Sequence, residues 1–207
     1  MEGARGNREV PPAASATFLE DWLRAVVATP GLTGISDLAE AQRMLLEDSL
    51  RGADVVSGYG GSVVDVGSGG GVPGIPLATA LPDREVTLLE AIGRKCDFLR
   101  EWAPANVRVV QGRAEEQETD VHGVAVAKAL AKPPVAAEWC LPLVRSGGAV
   151  VLWVGPSADS ERVARVAEQI GGELAAAGDG LLVLRKVRPT PEGFPRRPGV
   201  ASKRPLD

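Results

Sequence analysis

The sequence predicts an α/β protein: a seven-stranded, mostly parallel, Rossmann-like sheet with helices on both faces, preceded by a small helical cap. Three observations predict it. From residue 62 onward, short β-rich runs alternate with helical segments, the pattern of a doubly wound sheet. The last two strand candidates are separated only by Ala-Gly-Asp-Gly, residues 177–180, so they form an antiparallel hairpin and the sheet is mixed. The stretch VVDVGSGGGVPGIPLA, Val63 to Ala78, places five glycines and two prolines directly behind an apolar run, which reads as strand, turn and helix start.

The elements follow in order. Residues 1–14 read as a flexible, Pro/Ala-rich leader without the apolar core of a secretory signal. Residues 15–60 read as the cap. Thr17 and Glu20 have capping-box spacing, and Phe18, Leu19, Trp22, Leu23, Val26 and Val27 fall on one helical stripe that Pro30-Gly31 stops. A second helix is expected from Asp37 to about Leu50, with Leu38, Ala41 and Leu45 on one side. Gly58 to Gly61 is a linker. Residues 61–188 form the sheet domain, with strands expected at 62–66, 85–89, 107–110, 123–127, 149–154, 173–176 and 181–187. Pro133-Pro134 reads as a helix start. Residues 189–207 form a basic tail.

Composition limits the function. The chain has 207 residues, 44% hydrophobic and 24% charged, with a net charge of −4. From Arg185 to Asp207, seven Lys or Arg oppose Glu192 and Asp207, a balance of +5, so the remainder carries −9. An acidic body with a basic end is compatible with a polyanion at one face. One histidine, His122, leaves little for a zinc site or a Ser-His-Asp triad. Cys96 and Cys140 sit in apolar patterns and are expected to be reduced core thiols. No run approaches a membrane span, and a cytoplasmic monomer is expected.

The glycine loop is placed where a doubly wound sheet binds its ligand. Two registers fit it. Gly69, Gly71 and Gly74 satisfy the dinucleotide pattern G-x-G-x-x-G. Asp65, Gly67, Gly69 and Gly71 satisfy D-x-G-x-G-x-G, the form typical of S-adenosylmethionine (SAM) enzymes. The terminal hairpin favours SAM over NAD, as does the lack of a hydride-site His or Tyr. Glu90, at the end of the second strand, suits a ribose diol, which both cofactors offer.

With these residues in view, the chain resembles the glucose-inhibited division protein B family, the RsmG-type methyltransferases of bacterial small-subunit ribosomal RNA. The resemblance runs through GLTGI and LLEDSL (31–50), DVGSGGGVPGIPLA, GRKCDFLRE (93–101), GRAEE (112–116), WCLPLVRSGG (139–148) and the basic TPEGFPRRPG and KRPL segments. It implies a class I SAM-dependent methyltransferase fold and methylation of guanine N7 in 16S rRNA. It also implies that Gly67 and Val72 line the methionine and ribose side of SAM, that Glu90 holds the ribose, and that Ala114 and Glu115 face the adenine. Where the family has an arginine after the fourth strand, this chain has Lys128. Lysine keeps the charge and loses the planar fork.

The implied chemistry asks for positioning rather than for a catalytic base. Guanine N7 is an in-plane lone pair without a proton, so no side chain need act as a base; Lys128 is at most a positioning residue. A pyrimidine-C5 reaction would need a cysteine after the fourth strand, and none is there. Lys132-Pro133-Pro134-Val135 is a near miss to the loop of amine methyltransferases, but lysine accepts no hydrogen bond. Arg196 and Arg197 are candidate phosphate clamps for the rRNA or the small subunit, with Arg94, Lys95 and Arg113 nearer the mouth. The four tryptophans are expected in the core. A small-molecule methyltransferase and a SAM-binding relative without turnover are the competing readings.

Overall fold

The computed structural model describes residues 16–207, so the leader expected over residues 1–14 lies outside the described residues. The cap opens with α1 (Ala16–Ala28), which buries Trp22, Leu23 and Val26. Thr17, expected as its cap, is its second residue. Asp37 caps α2 (Leu38–Ala41) by accepting the Glu40 N–H. The helix then widens into a π-helical stretch, Gln42–Glu47, and tightens again in α3 (Asp48–Leu50). A 3.6-residue period cannot keep one face across such a stretch. Ala41 is buried and Leu45 half-buried, but Leu38, expected beside them, is 44% exposed. A short helix, α4 (Ala53–Ser57), has no counterpart among the expected elements.

The sheet strands are β1 (Val63–Val66), β2 (Val86–Glu90), β3 (Val107–Gln111), β4 (His122–Lys128), β5 (Val144–Trp153), β6 (Gly172–Gly178) and β7 (Leu181–Lys186). Their order is β3-β2-β1-β4-β5-β7-β6. The first five are parallel, and β7 runs antiparallel between β5 and β6. This is the expected seven-stranded mixed sheet. The chain builds outward from β1 to β3 and then restarts at β4 on the other side of β1. The crevice outside the carboxyl ends of β1 and β4 is therefore the switch point where such sheets bind ligands.

Alternation along the strands splits the core into two layers. Val63, Leu88, Val124 and Val126 face one layer with α1, α5 (Gly74–Ala80) and Leu99 of α6 (Gly93–Trp102). Val64, Val66, Leu89, Ala125 and Ala127 face the other, with α7 (Pro133–Cys140) and α8 (Ser160–Gln169). A central parallel strand is thus apolar on both faces, and β1 is buried at every position. Pro133 and Pro134 do start a helix, where the missing N–H costs little.

The C-terminal segment packs back onto this body and ends in a short helix, α9 (Val200–Lys203). Phe194 and Leu206 pack on the second layer, and Ala201 is buried. Lys186 is fully buried, with its Nζ 2.8 Å from the Leu141 carbonyl, 2.7 Å from Thr190 Oγ1 and 3.3 Å from Asp120. Among the described residues, no helix is long and apolar enough to cross a membrane.

Candidate active site

Two cavities open at the carboxyl ends of β1, β2 and β4. The first, about 370 Å³, is walled by Gly67, Glu90, Ile92, Ala114, Glu115 and Leu130 among others. The second, about 300 Å³, lies between the glycine loop and the cap, against Val26, Leu32, Leu45, Gly69, Val72 and Lys128. Gly67, Lys95 and Ala129 line both, so the cavities meet along that wall.

The loop needs its glycines for two different reasons. Gly67 and Gly69 have φ of +71° and +57°. At Gly67 a Cβ would also come within 2.3 Å of Leu130 Cδ1, so the wall between the cavities is bare backbone. Gly71, expected to bind the cofactor, lines neither cavity. Its φ is +96° and a Cβ there would lie 2.5 Å from Ile75 Cδ1, so it serves the packing of loop on helix.

Asp65 is likewise corrected from a cofactor contact to a support. It is fully buried beneath the loop, and its Oδ2 accepts the Gly74 N–H at 3.0 Å. Its Oδ1 has no partner among the described residues. Burial pushes its carboxyl up to about 7, against the pull of the Gly74 and Ser68 hydrogen bonds.

Glu90 closes β2 inside the first cavity. Its Oε1 accepts the Ile92 N–H at 2.8 Å and its Oε2 accepts the Gly69 N–H at 2.9 Å. Two amides thus fix the carboxylate, and each oxygen keeps capacity for one more donor. Beyond β3, Ala114 and Glu115 form the far wall in a 3-10 turn, Ala114–Glu116. Glu115 Oε1 accepts the Gly199 N–H at 3.1 Å, which ties this wall to the C-terminal segment.

An adenosine fits this arrangement. The Glu90 carboxylate suits a ribose diol, and Gly67 lets the chain approach closely. Trp139, expected in the core, packs against it and also lines the first cavity, and its buried indole N–H has no partner among the described residues. Periodicity could not single it out, because α7 is buried at nearly every position and its pattern marks no face. Val72, Gly67, Glu90, Ala114 and Glu115 are all brought to the two cavities, as is Lys128.

Lys128 ends β4 in the second cavity. Its Nζ donates to the Met44 carbonyl and pairs with Asp48, both in the cap. Burial draws its ammonium below the ordinary lysine range, and the Asp48 hydrogen bond opposes this. Beside it, Ala129 holds φ at +54°, a left-handed conformation that costs an alanine about 1–2 kcal/mol. Strain is thus kept at the junction of the cavities.

Arg196 does not stand free as a phosphate clamp. Its guanidinium forms a two-pronged pair with Glu138, which is 2% exposed. A buried carboxylate must be paired, and α7 draws the arginine inward to meet that need. Arg197 is exposed. Cys96 and Cys140 are buried free thiols, and burial pushes both up. His122 lies at the opposite, amino end of β4, with Nδ1 3.0 Å from Ser62 Oγ.

The chain is similar to known proteins in sequence and in fold. The family model GidB, described as rRNA small subunit methyltransferase G, matches residues 17–171. A Symbiobacterium thermophilum protein named ribosomal RNA small subunit methyltransferase G is 37% identical over 227 residues, covering 95% of this chain and 91% of its own. A protein of the same name from Rubrobacter xylanophilus is 36% identical, covering 92% of this chain and 81% of its own. Among solved structures, the antibiotic-resistance methyltransferase Kmr aligns with a TM-score of 0.50 at 14% identity, over 67% of this chain and 91% of its own. Pyrococcus horikoshii TYW2 in complex with MeSAdo aligns at 0.52 and 14% identity, over 68% of this chain and 60% of its own. These two share the fold, that of class I SAM-dependent methyltransferases. From the family model and the full-length relatives together, the chain belongs to the GidB family, rRNA small subunit methyltransferase G.

Proposed function

We propose that this protein, a cytoplasmic monomer, transfers the methyl group of SAM to N7 of a guanine in the 16S rRNA of the small ribosomal subunit. The observation that carries the reading is the pair of cavities sharing Gly67, Lys95 and Ala129 at the switch point of the sheet. One cavity has the groups an adenosine needs, and the other lies directly across the glycine loop under the cap. When bound, SAM supplies an electrophilic methyl on its sulfonium. Glu90 would hold the ribose hydroxyls, with Ala114, Glu115 and Trp139 at the base. The loop and Val72 would hold the methionine end.

The rest of the task is alignment and exclusion of water, which Val26, Leu32 and Leu45 provide on the acceptor side. Guanine N7 gives up no proton, so the reaction needs no base. The side chains present agree with that. His122 is at the far end of the sheet, and the two buried thiols are held protonated, which does not suit them to attack a pyrimidine ring. The test is to map N7-methylguanine in small-subunit RNA from a strain lacking this protein, with and without its return. An unchanged map would overturn the reading. In parallel, SAM at about 100 Kd should stabilise the fold by roughly 2.7 kcal/mol, and NAD should not.

A further inference from the structure

We propose that the cavity between the glycine loop and the cap receives the acceptor guanine, and that Lys95 reads its O6 there. The inference rests on the guanine-N7 reading and names the group that selects the base. A residue lining both cavities stands where the methyl must cross between them. Three do: Gly67 and Ala129 offer backbone and a methyl group, and Lys95 is the one with a polar side-chain end.

Two cations line the second cavity, Lys95 and Lys128, while Arg113 lines only the first. Lys128 is held by Met44 and Asp48. The Arg94 guanidinium lies over Gly31, 3.0 Å from where a Cβ would be. Among the described residues, Lys95 forms no ion pair. Lys95 is half-buried on the wall of both cavities, and its ammonium, without a partner among the described residues, has donors to offer a ligand.

The chemistry of the base decides which atom takes them. For N7 to face the methyl, the N7 edge must lie against the shared wall. On that edge guanine presents N7 and O6, both acceptors, whereas adenine presents N7 and an N6 amino donor. An ammonium donates only, so at this edge it favours guanine and opposes adenine. Three further walls, Val26, Leu32 and Leu45, are aliphatic and suit the faces of a base taken out of its stack.

The test uses small-subunit particles reconstituted with guanine, or with 2-aminopurine, which keeps N7 and lacks O6, at the mapped target. With SAM saturating, the wild type should prefer guanine by about ten- to a hundredfold in kcat/KM, the effect of one hydrogen bond to a charged group. Lys95→Met and, as a second variant, Lys95→Leu should each bring the ratio close to one, since neither side chain can donate; Lys95→Arg should keep it. A wild-type ratio in both neutral variants overturns the inference. So does an equal loss on both substrates with the salt slope of RNA binding reduced by about 0.7–0.9, which marks a phosphate contact. A wild type that methylates no guanine N7 overturns the function proposed above and this inference with it. Activity with an unaltered ratio overturns this inference alone.

Discussion

The indole N–H of Trp22 donates to the carbonyl of Gly70 at 2.9 Å, joining the first helix of the cap to the glycine loop across 48 residues of chain. Val26, one turn on, packs where a Gly70 side chain would be, with its nearest methyl 3.2 Å from that point. The cap therefore shapes the loop as well as covering it. Trp22→Phe keeps most of the buried ring but strands the carbonyl. It should cost about 1–3 kcal/mol in urea unfolding and weaken SAM binding in a calorimetric titration. A loss of stability with SAM affinity intact would confine the bond to holding the cap.

Asp65 gives a pH dependence of stability with an unusual sign. Its carboxyl is raised from 3.8 to about 7 by burial, so the folded state binds the proton more tightly than the unfolded one. This group therefore contributes full stability below pH 4 and loses it as pH rises to about 7. Asp65→Asn removes the effect and keeps an acceptor for Gly74. The stability of the variant relative to wild type should rise between pH 4 and 7 by an amount on the order of 4 kcal/mol and level off above. A flat difference across that range would show Asp65 ionised in the fold.

The two arginines of the tail should behave differently. Arg196→Ala leaves the Glu138 carboxylate buried and unpaired, at a cost of about 3–5 kcal/mol. Glu138→Leu combined with Arg196→Met should recover most of it, as thermal melts would show. Arg197→Ala should leave stability within about 0.5 kcal/mol and lower the salt slope of RNA binding by about 0.7–0.9. An unaltered slope would remove Arg197 from the RNA interface.

Lys128 fastens the loop after β4 to the cap. Lys128→Ala frees Asp48 Oδ2 and the Met44 carbonyl, leaving Asp48 Oδ1 on Arg51, and single-turnover methyl transfer should fall about tenfold or more, since a charge-assisted hydrogen bond contributes roughly 1.5–3 kcal/mol. Lys128→Arg should retain the rate by keeping both contacts. Equal rates in all three proteins would leave the pair without a role in transfer.

The sequence by itself determined the sheet, because its signals are local. Apolar runs of the right length, Gly and Pro between them, and the short 177–180 turn placed all seven strands to within a few residues except the early start of β5 at Val144. The same locality made the glycine loop and Glu90 legible: turn geometry and strand ends are written in adjacent residues. What only the tertiary structure decided are the partners made across the chain. Asp65 and Gly71 belong to the loop motif, yet burial turns them to its underside. Arg196 looks like a free cation in the tail until Glu138, 58 residues earlier, draws it inward. Trp139 was not singled out because α7 buries most of its positions, and Lys95, named beside Arg94 and Arg113 near the mouth, was not told apart from them. Burial and pairing are set by which elements meet, and no pattern within one element records that.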